Sequence, residues 1–339
     1  MKYLKILSLI IPILISTTIE AKECKSNLIE WNNYDQTLAS LKNEYYKNNF
    51  TLVESALDCL VSSNKTFISG KPGTVAAYWF FRKEMPAPGG DELDERRIND
   101  WKSSISSSPY AHFASLRLMY SKAWNARGTK YANETSEDQF NRFKTQLLLT
   151  ESAILSDANK LKNSAISYNL LMAVALDTRG TKTSPIQTFE TGVINWPNYY
   201  DFYEVFLTRL VPKWGGSWEK VDEFINYWDE KLAEAESKSL YARLYINVHK
   251  HNKINPHKTK ADWKKLKPSL IALYTNYPAQ QHLEVAASYA CYYADHDFYK
   301  KLLKKHNIRD SKAWLRGSTI EQCNSYFAPQ PNKSKQQDK

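Results

Sequence analysis

Helix-opening signals recur along this chain, and the segments between them carry helical period. Ser108-Pro109 is an N-cap followed by proline at the first helical position, and Arg127-Gly128 closes the same segment. Ser136-x-x-Gln139 and Ser184-Pro185-Ile186-Gln187 read as capping boxes, and Ser318-Thr319-Ile320-Glu321 as a third. Residues 164–179 are apolar nearly all round and stop at Gly180, the pattern of a helix packed on several sides. From Ser217 to Glu236, Trp218, Val221, Ile225, Trp228 and Leu232 recur at three and four residues, with Glu219, Lys220, Asp229 and Glu230 on the other face. Glycine, which tight β-turns and nucleotide-binding loops require, is scarce, with 10 in 339 residues. That argues against a β-sandwich, a propeller or a glycine-rich nucleotide fold. The best strand candidate, Tyr241–Val248, fits a helix as well. The expectation is an all-α chain of about a dozen helices.

Many short helices do not form one simple bundle, and stacked helical hairpins solve that problem. Residues 283–306 read as one such hairpin, with Ala286, Ala287 and Ala290 allowing close approach and a turn at Asp295-His296-Asp297. No strict repeat is legible, so the expected form is an irregular tetratricopeptide-like stack, an α-solenoid, over 22–328. Internal breaks are expected near 86–91 or 180–185, and a disordered tail at 329–339.

Residues 1–21 have a basic start (Lys2, Lys5), an apolar stretch from Ile6 to Ile15 and a small residue, Ala21, at the end. That is a secretory signal peptide, too short for a comfortable membrane span. It predicts an exported chain, periplasmic or else secreted, with no stable membrane insertion. Removing it changes the net charge from +10 to +9. In such a compartment the basic surface meets acidic envelope components or proteins rather than nucleic acid. The densest run, Lys300-Lys301 with Lys304-Lys305, reads as a solvated face. Cys24, Cys59, Cys291 and Cys323 are even in number, and oxidising conditions permit three pairings. Local pairing, Cys24–Cys59 and Cys291–Cys323, is expected; the competing reading makes Cys59 and Cys291 small buried residues on helix faces.

Several stretches resemble a bacterial family of unknown function with tetratricopeptide-like helices. Ala123-Trp124-Asn125-Ala126-Arg127-Gly128 and Pro212-Lys213-Trp214-Gly215-Gly216-Ser217 are the most specific of them. Leu57, Leu60, Phe67 and Gly70 leading to Tyr78, Pro197-Asn198-Tyr199-Tyr200, and Tyr289-Ala290-Cys291 running to Leu302-Leu303 extend the likeness over most of 50–305. The chain has Ala294-Asp295 where typical members have Gly-Asp. The resemblance implies a helical fold and a bacterial origin, and it carries no activity.

No GxSxG, HExxH, P-loop or dinucleotide fingerprint is present. Trp214-Gly215-Gly216-Ser217 reads either as a recognition loop at a helix start or as a turn plugged by Trp214. Gly128 is a helix stop, with Arg127 expected to contact the last carbonyls. Trp124, Trp196, Tyr199, Tyr203 and Trp214 are candidates to line a concave groove. His249, His251 and His257 read as a solvated basic turn, not a metal site, and Asp91, Glu92, Asp94 and Glu95 as charges in a helix's first turn. These features predict a protein without catalytic residues, cofactor or metal, which binds a protein or peptide partner through Trp124, Arg127, Trp196, Tyr199, Tyr203, Trp214, Gly215 and Gly216. The aromatic rings are otherwise expected to knit helical layers together and leave no catalytic pocket. An immunity-type protein that neutralises a toxin is one form of this reading. The rival is a cell-wall-acting enzyme, which requires an acidic residue with raised pKa in a deep cleft.

Overall fold

The structure is a computed structural model that describes residues 26–86, 90–156, 161, 163–232, 237–309, 313–315 and 318–328. The expected signal peptide, Cys24 and the 329–339 tail lie outside the described residues. Fifteen α-helices account for most of what is described. They are α1 (Tyr34–Tyr46), α2 (Phe50–Ser62), α3 (Gly73–Trp79), which continues into a π turn at Phe80–Glu84, α4 (Asp91–Ser104) and α5 (Pro109–Arg127). Next come α6 (Glu137–Ser156), α7 (Ala165–Asp177), α8 (Pro185–Asn195), α9 (Asp201–Leu210) and α10 (Trp218–Lys231). The last are α11 (Leu240–Asn252), α12 (Trp263–Asn276), α13 (Gln280–Tyr292), α14 (His296–Lys305) and α15 (Ile320–Phe327). No strand occurs among the described residues, only an isolated bridge between Thr66 and Pro72.

The capping chemistry explains the helix starts. Ser108 Oγ accepts from the Ala111 N–H at 2.9 Å, and Ser184 Oγ from the Gln187 N–H at 3.4 Å. The Ser136–Gln139 box closes in both directions, at 3.2 and 3.0 Å. The last box is displaced by one residue: Thr319, not Ser318, caps α15 by accepting from the Gln322 N–H at 3.1 Å. Ser318 instead bonds the Ser288 hydroxyl at 2.9 Å. The Tyr241–Val248 segment is helical, within α11.

Consecutive helices pack on each other, as in α1–α2, α4–α5, α5–α6 and each pair from α10–α11 to α13–α14. Helix α7 departs from this pattern, since it also touches α3, α5 and α9. Two hydrophobic cores result, one from Leu28 to Val174 and the other from Val75 to Cys323. Ile166, Leu170, Ala173 and Val174 of α7 enter the first, and Ala165 and Met172 the second. The all-round apolar pattern therefore reflects burial between two cores.

Two further contacts join distant parts of the chain. His282 Nε2 on α13 lies 3.0 Å from the Ser69 carbonyl oxygen, and Trp79 Nε1 donates to Asp201 Oδ2 at 2.8 Å. Gly70, at φ +71°, sits so close to the C-terminal helices that a Cβ would lie 2.4 Å from the Arg243 guanidinium and 2.5 Å from the Tyr277 ring. Cys291 and Cys323 form a disulfide with Cα atoms 5.7 Å apart. Cys59 is also disulfide-bonded, and its expected partner lies outside the described residues. No helix among the described residues is long and apolar enough to cross a membrane.

Leu170 is fully buried on α7. Leu170→Ala is expected to cost about 2–5 kcal/mol in denaturant unfolding, because it opens a cavity where the first core closes. Leu149→Ala on half-exposed α6 surface should cost under about 0.5 kcal/mol. Equal losses at the two sites would refute the central role of α7.

Candidate functional site

The helices enclose a cleft, contrary to the expectation that the rings leave no cavity of converging ionisable groups. One lobe, of about 420 Å³, lies between the π turn, α5 and α9. A second, of about 500 Å³, lies between α9, α11, α13 and the Ser69–Lys71 loop. A third, of about 410 Å³, extends past Trp214 to the end of α11. Asn247 and His251 line all three lobes, so the lobes share one wall.

Each wall is a stripe at helical spacing. Arg117, Tyr120 and Trp124 recur at three and four residues on α5, and Asp201, Glu204 and Thr208 on α9. Arg243, Asn247 and Lys250 do so on α11, whose opposite face carries the buried Leu244 and Tyr245. Arg82 enters from the π turn, a helical irregularity frequent at functional sites.

The two larger lobes hold six cationic side chains, Lys71, Arg82, Arg117, Arg209, Arg243 and Lys250, against two carboxylates, Asp201 and Glu204. Aromatic faces carry several of these charges. Arg82 lies 4.8 Å from the Trp79 ring centre, Arg117 5.1 Å from Tyr120, Arg209 4.9 Å from Trp214 and Arg243 4.4 Å from Tyr200. Arg209 also pairs with Asp177, which accepts from the Tyr120 hydroxyl at 2.7 Å and Trp124 Nε1 at 2.9 Å.

The titrating groups report a positive field. Burial lowers the His251 pKa, and the charges of Arg82, Lys250 and Lys71 lower it further. His282 is pushed down to about 4 by burial, with Arg243, Lys71 and Lys250 acting in the same direction. Burial and then Lys71 lower Lys250. The carboxylates move up nonetheless. Burial, then the charge of Glu204, raises Asp201 to about 7 despite Lys71, Arg82 and the bond from Trp79. Burial raises Glu204 against the pull of Lys71, Arg243 and Arg82. Desolvation therefore outweighs local attraction at both carboxylates.

Of the sequence candidates, Trp124 and Trp214 meet in the cleft, ring centres 6.1 Å apart and edge to face. Tyr199 and Tyr203 are buried in the core instead. Asn169 Nδ2 donates to the Tyr199 hydroxyl at 3.1 Å, and Tyr203 packs on Phe189 and Trp228. Trp196 packs against Tyr168 and Phe202. Arg127 donates to the Gly128 and Lys130 carbonyls at 3.1 and 3.0 Å, closing the end of α5. Gly215 adopts φ +88°, and at Gly216 a Cβ would fall 1.8 Å from the Leu210 carbonyl oxygen. Their N–H groups donate to Pro212 and Val211 carbonyls at 3.0 and 3.2 Å, so the turn satisfies them internally. His249 is not in a solvated turn. It is buried on α11, with Nδ1 2.6 Å from the Tyr289 hydroxyl and Nε2 3.0 Å from Thr259 Oγ1. Arg82, Arg117, Asp201, Glu204 and Asn247 were missing from the sequence reading, and His251, expected in a solvated basic turn, lines the cleft from the end of α11. The available signal was the placement of Asp201 and Glu204 three apart within an aromatic run.

Asp201 titrates near 7 in the fold against 3.8 for a free carboxyl. The native state thus holds the proton more tightly, and stability falls as pH rises between those values. Asp201→Asn should remove this slope, at about 1.4 kcal/mol per pKa unit. Melting curves across the window should show the variant gaining on wild type toward neutral pH; parallel profiles would refute the shift. Glu204 and His251 interact with Asp201, so the difference between the two profiles reports Asp201 together with these neighbours.

No family model matches the chain, and no curated protein or solved structure matches it.

Proposed function

We propose that the protein is an exported binding protein, built as an irregular tetratricopeptide-like stack of α-hairpins, which holds a segment of a protein or peptide partner in its central cleft. The observation that carries this reading is the set of three adjoining lobes that share the Asn247–His251 wall. Its lobes fall within the volume range of ordinary ligand sites, about 300–1,000 Å³. Its walls combine indole and phenol faces with guanidinium groups, the residue types that dominate binding energy at interfaces. Export is supported by the basic-then-apolar layout of residues 1–21 and by the Cys291–Cys323 disulfide, a bond typical of oxidising compartments. An immunity-type protein that neutralises a toxin is a specialised form of this function.

Asn247 lies where the three lobes join. Asn247→Trp fills that junction and should weaken capture of the native partner, isolated by crosslinking from envelope extract, at least about tenfold. Ile194→Asp, on a residue 79% exposed and outside the cleft, should leave capture unchanged. Equal capture by both variants counts against cleft binding.

The Asp201–Glu204 pair favours a second reading, a cell-wall-acting enzyme in which Asp201 supplies a proton to a glycosidic oxygen. On the binding reading the purified protein leaves wall glycan intact. Digestion that disappears in Asp201→Asn would establish the enzyme instead.

A further inference from the structure

We propose that the lobe between the π turn, α5 and α9 is a carboxylate-binding subsite, in which Arg82 and Arg117 grip an acidic group of the bound segment. This deepens the cleft-binding reading and rests on it. Arg82 and Arg117 line the same lobe, and among the described residues neither has a carboxylate in ion-pair contact. Arg117 donates from Nη1 to Ser121 Oγ at 3.1 Å, while its Nε is buried without a partner. Arg82 rests on the Trp79 ring.

The third guanidinium of the lobe shows what the fold does when it neutralises such a charge. Arg209 faces Asp177, a buried carboxylate fixed by Tyr120 and Trp124. Arg82 and Arg117 have no carboxylate in contact, and Arg82 acts on Asp201 and Glu204 only at longer range. The lobe's own carboxylates are poor substitutes, because Asp201 and Glu204 sit beside each other and burial favours their protonated forms. His251, on the same lobe, has its pKa lowered by burial and then by the surrounding cations, Arg82 first among them, so it offers Arg82 and Arg117 no counter-charge. Arg82 is exposed at the rim of the lobe, whereas Arg117 is partly buried with its Nε shielded from water; a desolvated cation left uncompensated by its own chain is costly unless a ligand supplies the counter-charge.

Two planar forks suit a carboxylate, which accepts two parallel N–H bonds. Trp79, Trp124 and Trp214 border the lobe, so the carboxylate's apolar stem would lie against indole. A phosphate shares the oxyanion chemistry but is tetrahedral, and inorganic phosphate serves as the competing probe.

The test measures binding of a short Glu-containing peptide, its Gln counterpart and inorganic phosphate to the full chain, read by calorimetry at two salt concentrations. The Glu peptide should bind at least about tenfold tighter than the Gln peptide. Arg117→Lys, which keeps the charge and loses the fork, should lose about as much affinity as Arg117→Gln. Arg82→Gln should weaken binding likewise, and the surface substitutions Lys300→Gln and Lys301→Gln should not. Arg117→Gln should also melt at or above the wild-type temperature, since it removes an uncompensated charge. A lower melting temperature with unchanged affinity would assign Arg117 a structural role and overturn the subsite. The subsite is also overturned if wild type fails to bind the Glu peptide, or if phosphate displaces it with equal strength. If Lys71→Gln or Lys250→Gln weakens binding while the arginine variants do not, the acidic group sits in the other lobe and cleft binding survives. If none of these variants nor Asn247→Trp alters affinity, the cleft-binding reading itself fails.

Discussion

Helix α7 has almost no solvent face, and the architecture follows from that. A helix apolar on all sides must be surrounded, so helices from both halves of the chain are drawn against it. α3, α5 and α6 cover it from the N-terminal half, and α8 and α9 from the C-terminal half. The two cores therefore meet along α7, with Val75 of α3 also entering the second. Once the halves are held this way, the polar stripes of α5, α9 and α11 face one another. The cleft arises because the halves meet around α7, and no single helix encodes it.

Bringing those stripes together changes their chemistry. On an isolated helix Arg243, Asn247, Lys250 and His251 would be solvated and unremarkable. Facing Asp201, Glu204 and Lys71 across a partly closed space, they lose part of their water and act on one another at lower effective dielectric. Two opposite displacements result, histidines and a lysine pushed toward neutrality and carboxylates pushed toward protonation. Both reduce the charge carried into the cleft, as desolvation demands. The arginines cannot respond in this way, because they stay protonated at any relevant pH. Aromatic faces beside four of them offset part of that cost through cation–π contact.

Much of the fold was legible because helix starts and stops are local. Ser108, Ser136 and Ser184 cap through bonds reaching three residues ahead, so a short window of sequence contains both partners. The displaced α15 cap shows where such reading stops. Ser318 and Thr319 are equally good caps, and the choice turned on Ser288, thirty residues away, which engages Ser318. Aromatic residues were legible as important but not as to role. Trp214 and Tyr203 are similar candidates by spacing, yet one is 41% exposed at the cleft and the other fully buried.

The amino-acid sequence alone determined that this chain is helical, where several helices begin and that one of them is surrounded, because each depends on neighbours along the chain or on an unbroken apolar pattern; the Cys291–Cys323 pairing was one of three the sequence permitted, and the fold selected it. Tertiary structure decided which charged stripes face inward. A lysine or arginine at helical spacing reads the same whether it meets water or another helix. Only the packing around α7, which sets what lies opposite, turns those residues into a desolvated, positively charged cleft.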